Sequence, residues 1–196
     1  SFFVPNVFCV LSDLADTRVG TITSPETRFV QWKSSDGSYD KTKWADYRVM
    51  LDGMCQKDRL VEIIHNFTCF DNGDPTFKIL AGYHQFFAVR KAVDRAIEAT
   101  KTNGKIGVFW HTQGSGKSLS MVFFVHLLLQ YIKTATIIVI TDRNDLDDQL
   151  FGQFSRCRQF LMQEPQKANS RADLVNLLRG RETRGIFFTT MQKFTE

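Results

Sequence analysis

A chain of 196 residues is long enough for one full domain or for parts of two, and 43% hydrophobic with 23% charged residues excludes a disordered or low-complexity segment. A formal charge of +4 with no long run of like charges permits nucleic-acid binding without establishing it, and excludes a basic tail or arm. The cysteines Cys9, Cys55, Cys69 and Cys157 form no C-x-x-C pair, which argues against a metal site or a disulfide framework and for reduced, mostly buried thiols.

The opening "SFFVPNVFCV" lacks a basic start and is broken by Pro5 and Asn6, so it reads as neither a signal peptide nor a membrane span. "NVFCVLSD" is rich in β-favouring residues, and "TRVGTIT" and "TRFVQWK" alternate β-branched and aromatic residues with polar ones. With "SPET" and "SSDGSYD" as breakers, the first forty residues predict an antiparallel meander, or the end of a domain that starts further upstream. Residues 52–70 predict one amphipathic helix, with Leu60, Ile63, Ile64 and Phe67 at helical spacing. "DNGDP" (71–75) stops it and reads as a linker between domains.

Downstream, helix and strand alternate. Residues 83–100 predict a helix with Phe86, Val89, Val93 and Ile97 on one face, ended by Asn103-Gly104. "IGVFW" (106–110), "ATIIVIT" (135–141) and "GIFFTT" (185–190) predict buried parallel strands. The run from Lys117 to about Lys133 predicts an apolar helix, too short to span a bilayer and interrupted by His126. "LDDQLFGQF" and "SRADLVNLLRG" predict two more helices, the second with Ser170 as its N-cap. The order implies an α/β fold with a parallel sheet and helices on its faces, while the reduced cysteines and the lack of a signal peptide or membrane span lead to the expectation of a cytoplasmic setting. The carboxyl ends of the three strands would share a rim carrying Thr141, Asp142, Arg143, Thr189 and Thr190.

Between the first of these strands and the apolar helix lies "WHTQGSGKSLSM" (110–121). Gly116-Lys117-Ser118 ends the pattern G-x-x-x-x-G-K-[ST], whereas His111 stands at the first-glycine position. That glycine is dispensable to the chemistry. Phosphate is held by the N–H groups of Gly114, Ser115, Gly116, Lys117 and Ser118, turned inward at a helix N-terminus. Lys117 would meet the β- and γ-phosphates, and the Ser118 hydroxyl would ligate Mg²⁺. The strand–loop–helix context predicts a nucleotide site rather than an ordinary Gly/Ser turn.

The G-S-G-K-S loop with its non-glycine opening resembles motif I of the superfamily-two helicases and translocases. "YHQFFAV" places Gln85 on a helix ahead of the loop, similar to the glutamine with which these motors read adenine. "ITDRNDLDDQL" (140–150) resembles motif Ia, T-D-R-x-D-L-D-x-Q, of the restriction (R) subunit of type I restriction-modification enzymes. "TTMQKF" (189–194) resembles the segment ahead of motif II in the same subunit, and "VLSD…TRVGTITSPETRFVQWK" the end of its nuclease domain. The resemblance implies three parts. Residues 1–50 would be the C-terminal part of the nuclease domain, 51–75 a helical linker, and 76–196 the first part of a RecA-like motor lobe with a partial parallel sheet. It implies ATP and Mg²⁺ as cofactors, with Gln85 at the adenine edge, and double-stranded DNA and the modification and specificity subunits as partners. DNA-backbone contacts would fall near Arg143, Thr189 and Thr190. A solvated helix position for Gln85, a surface charge for Arg143 and a satisfied strand end for the threonines are the competing roles.

Two expected signatures do not occur in the sequence: an Asp-Glu-Ala-His box and the nuclease Glu-x-Lys constellation, for which "ETR" at 26–28 lacks the lysine. The chain therefore reads as part of a larger protein, and this part by itself is expected to bind nucleotide weakly and turn it over negligibly. Asp145, Asp147 and Asp148 read as favourable charges at a helix start. The histidines His65, His84, His111 and His126 have no ligand spacing, with His111 expected to pack beside the loop. Trp32 and Trp44 are expected in the core rather than as base-stacking platforms. A P-loop small-molecule kinase and a DNA-binding module with an inactive loop are the alternative readings.

Overall fold

The alternating runs at the start of the chain pair as three short strands in a computed structural model that describes residues 5–38, 47–179 and 184–194. β1 (Cys9–Ser12), β2 (Thr17–Gly20) and β3 (Val30–Gln31) form the expected antiparallel meander, with Cys9 opposite Gly20 and Val19 opposite Val30. Overall the chain is mixed α/β and divides into two compact units, Ser1–Phe124 and Val125–Glu196.

In the first unit, α1 (Tyr47–Met54) and α2 (Lys57–Asn66) precede a hairpin of β4 (Thr68–Asp71) and β5 (Phe77–Leu80). The single helix predicted over 52–70 is thus two helices and a strand. α2 closes at Phe67, whose N–H donates to Ile63 O at 3.1 Å while its φ of −130° has left the helix. Thr68, Cys69 and Phe70 are better strand than helix residues, and β5 supplies the partner that helical periodicity cannot foresee. The "DNGDP" segment, read as a linker, makes the connection between β4 and β5. The hairpin is tied to the chain after β2, where Thr21 Oγ1 donates to Lys78 O at 2.7 Å and Lys78 N donates to Thr23 Oγ1 at 2.7 Å.

α3 (Tyr83–Ala99) follows the predicted span and buries Phe86, Val89, Val93, Ala96 and Ala99, the stripe the 3.6-residue period calls for. Ile97 is only half-buried, because the stripe drifts to Ala96 and Ala99. Trp32 lies in this core, with ring centroids 5.9 Å from Phe86 and 6.1 Å from Phe87, and Phe67 stands 4.7 Å from Phe86 and 5.6 Å from Phe123. Each such buried ring contributes about 1.5–3 kcal/mol of transfer free energy, with about 0.5–1.5 kcal/mol more for a well-placed aromatic pair. Trp44 falls outside the described residues.

The strand predicted over 106–110 does not form. Val108 is 94% and Trp110 78% exposed, Gly107 has φ +124°, and no described strand is hydrogen-bonded to the segment. An apolar run states a preference for burial but not a partner, and without a paired neighbour an extended segment has no ladder.

α4 (Lys117–Tyr131) is the predicted apolar helix, with Val122, Phe123, Val125, Leu127, Leu128 and Leu129 buried. In the second unit, β6 (Thr136–Thr141), α5 (Asn144–Arg156), α6 (Arg158–Leu161), β7 (Gln166–Lys167), α7 (Arg171–Leu178) and β8 (Gly185–Thr190) build a small parallel sheet. Its order is β6-β8-β7, with Thr136 opposite Gly185 and Thr141 opposite Thr190. β8 is central and buried at every residue, while β6 is an edge with Ile138 and Ile140 exposed. The expectation of a β6 buried on both faces fails because an unbroken apolar run does not distinguish a central from an edge strand. Phe151 and Phe154 of α5 stand edge-on to Phe188 at 5.5 and 5.1 Å. None of the four cysteines is in a disulfide, with Cys69 and Cys157 buried and Cys9 and Cys55 half-buried. Among the described residues no helix is long and apolar enough to cross a membrane.

Candidate functional site

The G-S-G-K-S loop leads directly into the fifteen-residue helix α4, whose first residue is Lys117. Gly114 and Gly116 both have φ +79°, a conformation that costs a residue with a Cβ about 1–2 kcal/mol. At Gly116 a Cβ would also come within 2.8 Å of Gln85 Nε2, so the neighbour as well as the backbone calls for glycine. His111 stands where the usual pattern has its first glycine and has none of these requirements. Ser115 folds the loop onto itself, its N–H donating to Thr112 O at 3.3 Å and its Oγ at 2.7 Å.

The exposed Lys117 arches back over the loop, its Nζ donating to His111 O at 3.0 Å and to Thr112 O at 2.9 Å. Ser118 sits half-buried in the first turn of α4. The start of α3 meets the loop from the other side. Gln85 is 6% exposed and its amide is fully used, with Oε1 accepting from Gly82 N at 3.0 Å and Nε2 donating to Gly116 O at 3.0 Å and Ser120 Oγ at 3.3 Å. Gln85 is therefore brought to the phosphate loop, but with its polar edge turned into the loop backbone rather than toward solvent.

His84, next to it, places Nε2 3.1 Å from Ser115 O. Neither His84 nor Ser120 was a candidate from the sequence, where a lone histidine and a helix serine carry no signal. Adjacency to Gln85 at the start of a helix aimed at the loop was the only available cue. His111 packs beside the loop, as expected, with ring centroids 4.5 Å from Phe109 and 5.3 Å from His84. Burial, then the nearby His84 and Lys117, hold its imidazole below the ordinary histidine range, and its Nδ1 is buried without a partner.

The remaining candidates lie in the second unit. Arg143 is exposed and forms the N-cap position of α5. Thr189 and Thr190 are 0% and 1% exposed at the end of β8. The pattern of strand ends placed them on the rim, and the rim is real between β6 and β8, but a strand's last residues can be covered as well as open. Among the described residues no group of three or more His, Cys, Asp or Glu is placed to hold a metal ion.

Compared with known proteins, residues 84–196 match the family described as SWI2/SNF2 ATPase, over more than half of the chain. The chain belongs to this family. The SWI2/SNF2 ATPase match takes in His84 and Gln85, the phosphate loop and the whole parallel sheet, and leaves the meander and the hairpin outside it. Those upstream elements are covered by a second kind of similarity. The type I restriction enzyme HindI endonuclease subunit of Haemophilus influenzae is 42% identical across 98% of this chain. A protein of Methanocaldococcus jannaschii named as the MjaIXP type I restriction enzyme endonuclease subunit is 32% identical across 94% of it. The chain spans 19% of the length of each. The SWI2/SNF2 chain is thus similar to type I restriction endonuclease subunits along nearly its whole length, as the T-D-R-x-D-L-D-x-Q resemblance implies.

Proposed function

We propose that this chain is the ATP-binding part of the motor subunit of a type I restriction enzyme. In the complete protein, ATP-driven translocation along double-stranded DNA would be coupled to endonucleolytic cleavage. The observation that carries the proposal is the loop itself. Two left-handed glycines, Gly114 and Gly116, precede a long helix, and a lysine on its first residue already lies across the loop. The N–H groups from Gly114 to Ser118 are the donors for the β- and γ-phosphates. Lys117 would exchange its two carbonyl partners for phosphate oxygens, a stronger charge-assisted pairing. Ser118 would contribute its hydroxyl to a Mg²⁺ held mainly by the phosphates.

The same proposal reads the parallel sheet as part of a RecA-like lobe. It divides the chain into nuclease end (1–50), helical connection (51–75) and motor lobe (76–196), with the β4–β5 hairpin straddling the last boundary. Gln85 is assigned to the adenine edge, which requires its amide to trade the Gly116 carbonyl for the base. Arg143, exposed at the start of α5, and Thr189 and Thr190 at the end of β8 are the candidates for DNA-phosphate contacts. The modification and specificity subunits are the implied protein partners, and the cytoplasm the implied location.

The test is nucleotide binding. Lys117→Ala removes a charge-assisted bond worth about 1.5–3 kcal/mol, so the dissociation constant for Mg-ATP should rise by about tenfold to more than a hundredfold. Equal affinity in wild type and variant, measured by calorimetry, ends the proposal.

A further inference from the structure

The carbonyl of Ser115 only accepts hydrogen bonds, so His84 Nε2, 3.1 Å away, must carry the proton between them. The carbonyl of Gly116 likewise makes Gln85 Nε2 a donor at 3.0 Å, and it also accepts from Ser120 N at 3.0 Å and Ser120 Oγ at 3.2 Å. Two consecutive carbonyls of the loop are therefore held, that of Ser115 by α3 and that of Gly116 jointly by α3 and the first turn of α4. In a planar trans peptide the C=O and the next residue's N–H point in opposite directions. Pulling the Ser115 carbonyl to one side turns the Gly116 N–H to the other, and pulling the Gly116 carbonyl does the same for the Lys117 N–H. These are two of the donors on which phosphate binding by such a loop depends. The Gly116 carbonyl has three donors to hold it, whereas for the Ser115 carbonyl His84 is the side-chain donor found. The imidazole is itself held, edge-on to Tyr83 at 5.5 Å and tilted against His111 at 5.3 Å.

We infer that His84 is a positioning residue of the phosphate loop: its Nε2–H fixes the Ser115 carbonyl outward so that the Gly116 N–H faces the bound phosphates. The inference rests on the nucleotide-binding reading of the loop and assigns His84 no contact with nucleotide. It separates His84 from its neighbour, since the function of Gln85 can involve the base while that of His84 is confined to the loop.

The experiment measures dissociation constants for Mg-ATP and for inorganic tripolyphosphate, which lacks a base, on wild type, His84→Phe, His84→Met, His84→Gln and Lys117→Ala. Phenylalanine keeps the ring without the donor. Methionine keeps the length without the donor, and glutamine restores an N–H near the position of Nε2. Loss of one hydrogen bond corresponds to an about three- to tenfold weaker binding of both ligands in the phenylalanine and methionine variants. His84→Gln should recover to within about twofold of wild type, a rescue that a merely space-filling role would not give. If His84→Phe misfolds, as judged by its melting transition, the methionine–glutamine comparison carries the same contrast. Unchanged tripolyphosphate affinity in the donor-less variants, or a glutamine variant as weak as they are, overturns the role of His84. Wild-type affinity in Lys117→Ala overturns the nucleotide reading instead, so the two failures are told apart.

Discussion

Asp147 is 0% exposed at the start of α5, and three neighbours account for it. Thr141 Oγ1 donates to its Oδ1 at 3.1 Å, its N–H caps onto Arg143 O at 3.0 Å, and Lys167 Nζ pairs with its Oδ2 at 2.9 Å. Burial opposes the charge on Lys167, but the carboxylates of Asp148 and Asp147 outweigh it and push its pKa above the ordinary lysine value. The sequence reading of the acidic cluster as helix-dipole charges holds for the exposed Asp145 and misses Asp147, whose partner lies twenty residues on. Asp147→Ala should destabilise the protein by about 1–3 kcal/mol, because it leaves Lys167 half of its pairing and the buried Thr141 hydroxyl none. Urea unfolding of the variant checks this, and Asp147→Ala with Lys167→Met should be less destabilised than Asp147→Ala alone. In the candidate site the loop residues were legible because their backbone chemistry is local. His84 was not, because its role depends on a carbonyl thirty-one residues away.

Helices whose signals are local follow their predicted spans. Ser170 Oγ accepts from Asp173 N at 3.1 Å, the N-cap bond expected at α7. Ser170→Ala should cost about 1 kcal/mol, read as a lower melting temperature, with Ser170→Asp close to wild type. α3 likewise keeps its length, since its apolar stripe and first-turn contacts agree. The elements that departed are those needing a partner from elsewhere. Residues 68–71 leave the predicted helix because β5 offers them a ladder, and 106–110 stays out of any sheet because no described strand does. Hydrophobicity alone is the same in both cases, so the outcome turns on pairing.

For the molecule as a whole, two histidines link stability to pH. His126 stacks on Phe160 with centroids 3.8 Å apart, and burial lowers its pKa from 6.5 against a smaller opposing contribution from the Phe160 backbone. The Gln130 amide nitrogen, 2.9 Å from its Nε2, can donate only while that nitrogen is unprotonated. His111 is shifted down from 6.5 as well. The unfolded chain therefore binds more protons than the folded one between the lowered values and pH 6.5. Their contribution to stability is complete above that window and is lost as the pH falls through it. Urea midpoints should decline on acidification below about 6.5, and His126→Phe should flatten part of that decline. A variant with an unaltered slope would remove His126 from this account.

The sequence by itself determined the local chemistry: the glycine-lysine loop at a helix start, the meander, the α3 stripe, the Ser170 cap and the strand character of 136–141 and 185–190. Each follows from neighbours in the chain or from a period that neighbours define. Only the tertiary structure decided which apolar runs became paired strands, that the buried Asp147 pairs with the half-buried Lys167, and that Thr189 and Thr190 are covered. It also decided that the start of α3 holds the phosphate loop through His84 and Gln85. The reason is common to all of these. A hydrogen bond or a buried charge needs a specific partner at a specific distance, and composition and periodicity specify the need without naming the partner.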